Sequence, residues 1–198
     1  MPLAAVLSVT MGAAAPDTLY AAVAGDGLWR SEDAGESWAF VMDRPYLDGT
    51  EQDVLSLISV GSPSGMGGIW LYAGTDVGLT RVPDCFCRWQ DVTAGDAMDA
   101  IVAGETSAST APFPPSSPVR NLGVANAAPS QIYAGSTTGL WASSDAGVNW
   151  SLVSPTVVTA LAVDPQDPLH LVAARTDGIA ESRDGGQTWS PLTFTQEN

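Results

Sequence analysis

The residues of this chain best placed to do chemistry are acids in turns. Asp26, Asp76 and Asp177 each stand at or near a glycine in a short turn. Two carboxylates about 5 to 9.5 Å apart in one pocket are what glycoside hydrolysis requires. An Asp beside a Gly is also what a tight hairpin needs, and the turn role is the one expected here. A second cluster lies in 42–52 and at Asp53, where Arg44, Tyr46 and Asp48 stand among further acids. Such a segment could bind a sugar or a calcium ion, but its acids lack the spacing of a calcium loop, and a solvated loop is the role expected of it. Arg175 stands two residues before Asp177. Cys85 and Cys87 flank Phe86; a reduced pair, a small-ring bridge and an intermolecular link all remain open. The single His170 sits between leucines and reads as a packed strand residue. Pairing it with a serine and Asp167 as a triad is the weaker reading.

Composition narrows the chemistry further. The chain has 198 residues, with 22 Asp and Glu against 7 basic residues and a formal net charge of −15. Every basic residue is arginine, so Schiff-base and P-loop lysine chemistry are excluded and a nucleic-acid partner is disfavoured. One histidine and one cysteine pair do not make a structural zinc site. No apolar run is long enough to span a membrane. No metal or cofactor is expected.

The elements that must position these residues are repeated ones. One frame recurs as Ser31-Glu-Asp33-Ala-Gly35-Glu-Ser37-Trp38, Ser143-Ser-Asp145-Ala-Gly147-Val-Asn149-Trp150 and Ser182-Arg-Asp184-Gly-Gly186-Gln-Thr188-Trp189. A degraded copy keeps Asp84 and Trp89. A Gly-apolar pair precedes each frame, at Leu28, Leu79, Leu140 and Ile179. Further upstream comes a β-prone run around Tyr20, Tyr72, Tyr133 and Val172. Before that stands a triplet, read as Leu7-Ser8-Val9, Ile58-Ser59-Val60, Leu122-Gly123-Val124 and Leu161-Ala162-Val163. Each unit is therefore four short strands, a to d, with the Asp frame as the c–d turn. Four-stranded units recurring at about forty residues predict a β-propeller. We expect a single all-β domain over 1–198, with antiparallel four-stranded blades at about 3–41, 53–92, 119–153 and 156–194. The intervals 42–52 and 93–118 are insertions.

The pattern Ser-x-Asp-x-Gly-x-Thr-Trp resembles the Asp-box, or BNR repeat, of sialidases, sortilin-type receptors, xyloglucan-active glycosidases and photosystem assembly factors. The resemblance implies a propeller whose boxes lie away from the working face. Sialidases of this family gather three arginines, a Tyr–Glu pair and an acid. Arg30, Arg81 and Arg183 belong to strand c or the box here, and Tyr20, Tyr72 and Tyr133 look like packing. Only Arg44, Arg88, Arg120, Arg175 and Tyr46 are left for a site, so the sialidase set is not carried over.

Fold alone does not fix function, but topology points to a face. The b–c loops and the long d–a connections lie opposite the boxes, and long insertions on a rigid scaffold are where function concentrates. Asp26, Arg44, Tyr46, Asp48, Asp76, Arg175 and Asp177 are the candidate binding residues on that face; no catalytic residue is assigned. The proline-rich run 111–118 reads as a covering strap or partner contact. The expectation is a non-catalytic module recognising a protein partner or a glycan, with a sialidase-like or other glycoside hydrolase as the alternative. The ring is expected to close as four blades in one chain, as two chains forming eight, or within a larger parent. Homodimerisation, or a place in a larger complex, is open, and the setting leans extracytoplasmic.

Overall fold

Runs such as Leu-Tyr-Ala-Ala-Val and Gly-Leu-Trp-Arg-Ser put β-branched, aromatic and small apolar residues at every second position, and Gly, Asp and Ser punctuate them. The computed structural model describes residues 3–62, 68–92 and 109–193, and every named element in it is a strand. The first sheet is β1 (Val6–Met11), β2 (Leu19–Val23), β3 (Gly27–Ser31) and β4 (Ala39–Met42), antiparallel in sequence order. A small hairpin follows, β5 (Tyr46–Leu47) with β6 (Thr50–Glu51). The second sheet has three strands, β7 (Ser56–Val60), β8 (Trp70–Gly74) and β9 (Leu79–Pro83). The third is β10 (Val119–Ala125), β11 (Ala128–Ser136), β12 (Gly139–Ser143) and β13 (Ser151–Ser154). The fourth is β14 (Ala160–Val163), β15 (Leu171–Arg175), β16 (Gly178–Ser182) and β17 (Ser190–Pro191).

The second unit departs from the expected four strands. Its fourth strand is reduced to one bridge, Arg81 with Gln90. The frame here has lost its serine and glycine, and Cys85 and Cys87 are bonded to each other across the turn. Trp89 sends its indole N–H to the Asp43 carbonyl at 2.8 Å instead of capping its own turn. The interval 42–52, expected as a plain insertion, folds into the β5–β6 hairpin. Residues 93–108 and 194, expected in the second insertion and the last blade, lie outside the described residues.

Register corrects the inner-strand triplets. Val9 pairs with Ala21, Leu57 with Ala73, Leu122 with Ala134 and Leu161 with Ala173. The equivalent triplets are therefore Val9-Thr10-Met11, Leu57-Ile58-Ser59, Leu122-Gly123-Val124 and Leu161-Ala162-Val163. The expected triplet was two residues early in the first unit and one late in the second. A one-residue slip exchanges the two faces of a strand, so the second unit's triplet was assigned to the wrong faces.

Each sheet lays one face on the next, giving three cores. Tyr20, Ala22 and Leu28 of the first sheet meet Leu57, Leu71 and Val82 of the second. Ile58, Trp70 and Tyr72 meet Leu122, Ile132 and Trp150 of the third. Tyr133, Leu140 and Ala142 meet Leu161, Val163 and Leu171 of the fourth. The innermost strands follow β1–β7–β10–β14, each packed on the next. Among the described residues no comparable packing joins β14 to β1. The two face the same central cleft of about 500 Å³, so of the three closures expected, a ring completed within one chain is not what the described residues show.

A tyrosine fastens successive sheets. Tyr72 Oη donates to the Ala146 carbonyl in the third box at 2.7 Å. Tyr133 Oη donates to the Pro168 carbonyl, in the connection between β14 and β15, at 2.9 Å, and the Tyr20 ring lies 6.0 Å from Phe86 in the second frame. The fourth sheet carries Val172 at the equivalent register.

Candidate functional site

The boxes are self-sufficient turns. In the first, the Ser31 hydroxyl donates to Asp33 Oδ1 at 2.7 Å and accepts from the Gly35 amide at 2.8 Å. Asp33 then accepts from the Ser37 amide at 2.8 Å and the Ser37 hydroxyl at 2.5 Å, while the Trp38 indole N–H caps the Gly35 carbonyl at 3.0 Å. The third and fourth boxes repeat this through Asp145 and Asp184. The serine hydroxyl, the carboxylate, the glycine and the indole thus find within the turn the partners that the strand ladder does not supply.

These bonds favour the carboxylate form. The Ser37 hydroxyl, its amide and the Ser31 hydroxyl bring Asp33 from its ordinary 3.8 down to about 2. The Thr188 hydroxyl, its amide and Ser182 do the same for Asp184, to about 2. A depressed folded-state value stabilises the fold above the ordinary aspartate range, and that contribution is lost as pH falls toward the folded value. The melting temperature should therefore be flat from neutral pH to about 5 and decline between about 5 and 2. Asp33→Asn combined with Asp184→Asn should flatten that acid limb in a thermal scan.

In the third box the repeated Ser or Thr is replaced by Asn149, and the amide does two jobs. Its Nδ2 donates to Asp145 Oδ2 at 2.8 Å. Its Oδ1 accepts from the Thr110 amide at 2.9 Å and the Ala111 amide at 3.0 Å. Phe113 then stacks edge-on against Trp141 and Trp150, at 5.6 and 5.3 Å. The proline-rich run is thus a strap over the third sheet. Asn149→Ser should keep the box and release the strap, read as faster limited proteolysis between 109 and 118 with a melting temperature only slightly lowered.

From the third sheet the strap reaches the face opposite the boxes. There Pro115 and Ser116 border a groove of about 260 Å³ with Leu47, Asp48, Val77 and Leu79. A depression of about 370 Å³ continues it past Asp91 and Pro112. Asp48 sits at the tip of the β5–β6 hairpin with φ of 50°. Tyr46 is 69% exposed, and its hydroxyl donates to the Gly49 carbonyl at 2.7 Å.

The other candidates are held by partners near them. Asp26 accepts from the Trp29 indole at 2.5 Å. Arg44 bonds Glu51, and Asp53 at 3.3 Å, while Asp53 also accepts from the Gly25 amide at 2.9 Å. Arg44 therefore ties the hairpin to the first sheet. Asp76 pairs with Arg120 at 2.6 Å, which joins the second and third sheets. Arg175 grips Asp177 with two bonds, at 2.9 and 2.6 Å, and that hydrogen bonding holds the Asp177 carboxyl below its ordinary range. Asp26, Asp76 and Asp177 thus serve three separate contacts in three sheets. His170 stands just before β15, with Nδ1 3.3 Å from Asp164 and Nε2 3.4 Å from Glu181, not within a strand as expected. Asn149 was missed as a site-shaping residue, whereas Asp53 and Arg120 were noted in the sequence but not placed among the binding residues they turn out to hold. The box substitution Ser, Asn, Thr was the visible signal for Asn149.

No helix among the described residues is long and apolar enough to cross a membrane. An all-β chain of sequential antiparallel sheets, pinned at the c–d turns by Asp and Trp, is a propeller-like scaffold. Residues 180–191 match the BNR/Asp-box repeat family, so the repeat expected from the frame is present. The chain is similar in fold to an ancestral GH74 enzyme, with 16% identity and a TM-score of 0.62 over 96% of this chain and 24% of that one. It is similar to the GH74 xyloglucanase from Xanthomonas campestris, at 22% identity and 0.51 over 95% and 38%. It is also similar to the RRP9 WD40 repeats, at 13% and 0.61 over 96% and 51%. The chain thus spans between a quarter and about half the length of these structures. No curated protein sequence matches it.

Proposed function

We propose that the chain is a non-catalytic, four-bladed propeller module that recognises a protein partner or a glycan through the face opposite its Asp-boxes. The observation that carries this reading is the groove between the β5–β6 hairpin and the proline strap, built from the two insertions and bordered by Asp48, Val77 and Pro115. Exposed Tyr46 stands on the same hairpin, and aromatic, proline and acidic groups around a shallow groove suit recognition more than bond breaking. Asp26, Arg44, Asp76, Arg175 and Asp177 frame the face and keep its loops in place.

The hydrolase reading has less support. A glycosidase pairs two carboxyls in one pocket, whereas Asp26, Asp76 and Asp177 are engaged in three separate contacts, with Trp29, Arg120 and Arg175. A setting outside the cytoplasm fits the Cys85–Cys87 bond.

The test is a glycan array and a peptide display on the purified chain, run beside a glycoside-release assay. Saturable binding that Tyr46→Ala and Asp48→Ala weaken together by about tenfold, with no sugar released, supports the proposal. Turnover of a glycoside that Asp76→Asn or Asp177→Asn abolishes overturns it.

A further inference from the structure

The two end sheets are not finished alike, and the difference shows what each one receives. Every sheet has a leading face, which lies on the sheet before it, and a trailing face, which lies on the sheet after. In the third sheet the leading face presents Leu122, Ala134, Trp141 and Leu152 in one cross-strand row, and Val124 with Ile132 in the next. The first sheet presents the same kinds of residue at the same register: Val9, Ala21, Trp29 and Phe40, then Met11 with Leu19. In the third sheet the inner part of this row is covered, with Leu122 8% and Ala134 0% exposed, while its outer end, Leu152, is 46% exposed; in the first sheet the inner strand itself lies open, with Val9 60% and Met11 63% exposed. Blade 1 therefore carries a leading face of the interior type on which, among the described residues, no sheet is laid.

The matching trailing face is also open. Where the third sheet meets the fourth, Gly123 sits so close that a Cβ there would lie 2.6 Å from Val163 and 3.3 Å from Leu161. The small residue in that row is the seat of the next sheet's innermost strand. Ala162 occupies the same register in the fourth sheet, is again small, and is exposed. Its counterparts to Leu161 and Val163 on a following sheet are Val9 and Met11. Ala160, Val172, Ala174 and Ile179 complete that face; Glu181 stands on it as well, cross-strand from Val172 and bridged to His170 and Arg183, at the register that Arg30 holds in the first sheet.

We propose that the occupant of each open face is a second copy of this chain, the trailing face of blade 4 lying on the leading face of blade 1 of its partner. WD40 repeats close into rings, and this chain matches about half of the RRP9 WD40 chain. Two half-rings joined head to tail at both ends close by a two-fold axis, so association stops at two copies. The contact uses neither Tyr46 nor the Asp48 groove, so it stands or falls apart from the binding proposal.

Sedimentation equilibrium on the purified chain should give twice the 20.4 kDa chain mass. Val9→Lys and Ala162→Glu, both at exposed positions, should each weaken association by about 100-fold while leaving the circular dichroism spectrum unchanged. An equimolar mixture of the two variants should regain the dimer, because one junction then pairs lysine with glutamate and the other is wild type. A wild-type monomer overturns the proposal. So does a dimer that Val9→Lys breaks and Ala162→Glu does not, which would mean blade 1 meeting blade 1.

Discussion

Trp150→Ala is expected to lower the unfolding free energy by about 3–5 kcal/mol in urea titration, the upper range for removing a buried large side chain. Trp150 is 4% exposed and stands in the core shared by the second and third sheets. Its indole caps Gly147 at 2.8 Å and its ring receives Phe113 of the strap. The change therefore opens a cavity, orphans a carbonyl and loosens a connection at once. Trp38, which makes the same cap in the first box but is only half-buried, should cost about 1–2 kcal/mol. Equal losses at the two positions would show that the indole cap, not the inter-sheet cavity, dominates.

Gly139→Ala should be as damaging, at about 3–6 kcal/mol when left-handed strain and overpacking are combined. Gly139 has φ of 129°, and a Cβ there would lie 2.2 Å from the Ser154 carbonyl oxygen. Gly178 opens the equivalent strand of the fourth sheet with φ of 135° but meets nothing within 4 Å. Gly178→Ala should thus show the strain alone, about 1–3 kcal/mol. The contrast follows from strand d: β13 runs to Ser154 beside Gly139, whereas β17 is two residues long. Thermal or urea unfolding of the pair separates conformational strain from collision.

Much of the scaffold was legible because turn chemistry is local. The Asp, Gly and Trp of each box act on atoms within a few residues, so their spacing alone predicted three turns. The inner strands were harder to read, since small and large residues alternate along them and several registers look alike. A ruler did exist: Val9, Leu122 and Leu161 each stand eleven residues before Tyr20, Tyr133 and Val172. The second unit hides it behind a longer a–b connection, with Leu57 and Tyr72 as partners of adjacent register. The groove was half legible. Insertion positions marked the face, but the meeting of Asp48 with Pro115 depends on how two distant connections fold back. Arg44 and Asp76 read as free ligand groups because their partners, Asp53 and Arg120, are set by tertiary placement.

The tyrosine fastenings run one way along the chain, each leaving one unit and landing on the following one. A duplicated unit inserted between two existing ones would bring both its own tyrosine and the turns that receive the previous one, so both new seams would be ready-made. A copy appended after the last unit would meet Val172 and find no such fastening. Lengthening this architecture by gene duplication is thus easier from within than at the carboxyl-terminal edge.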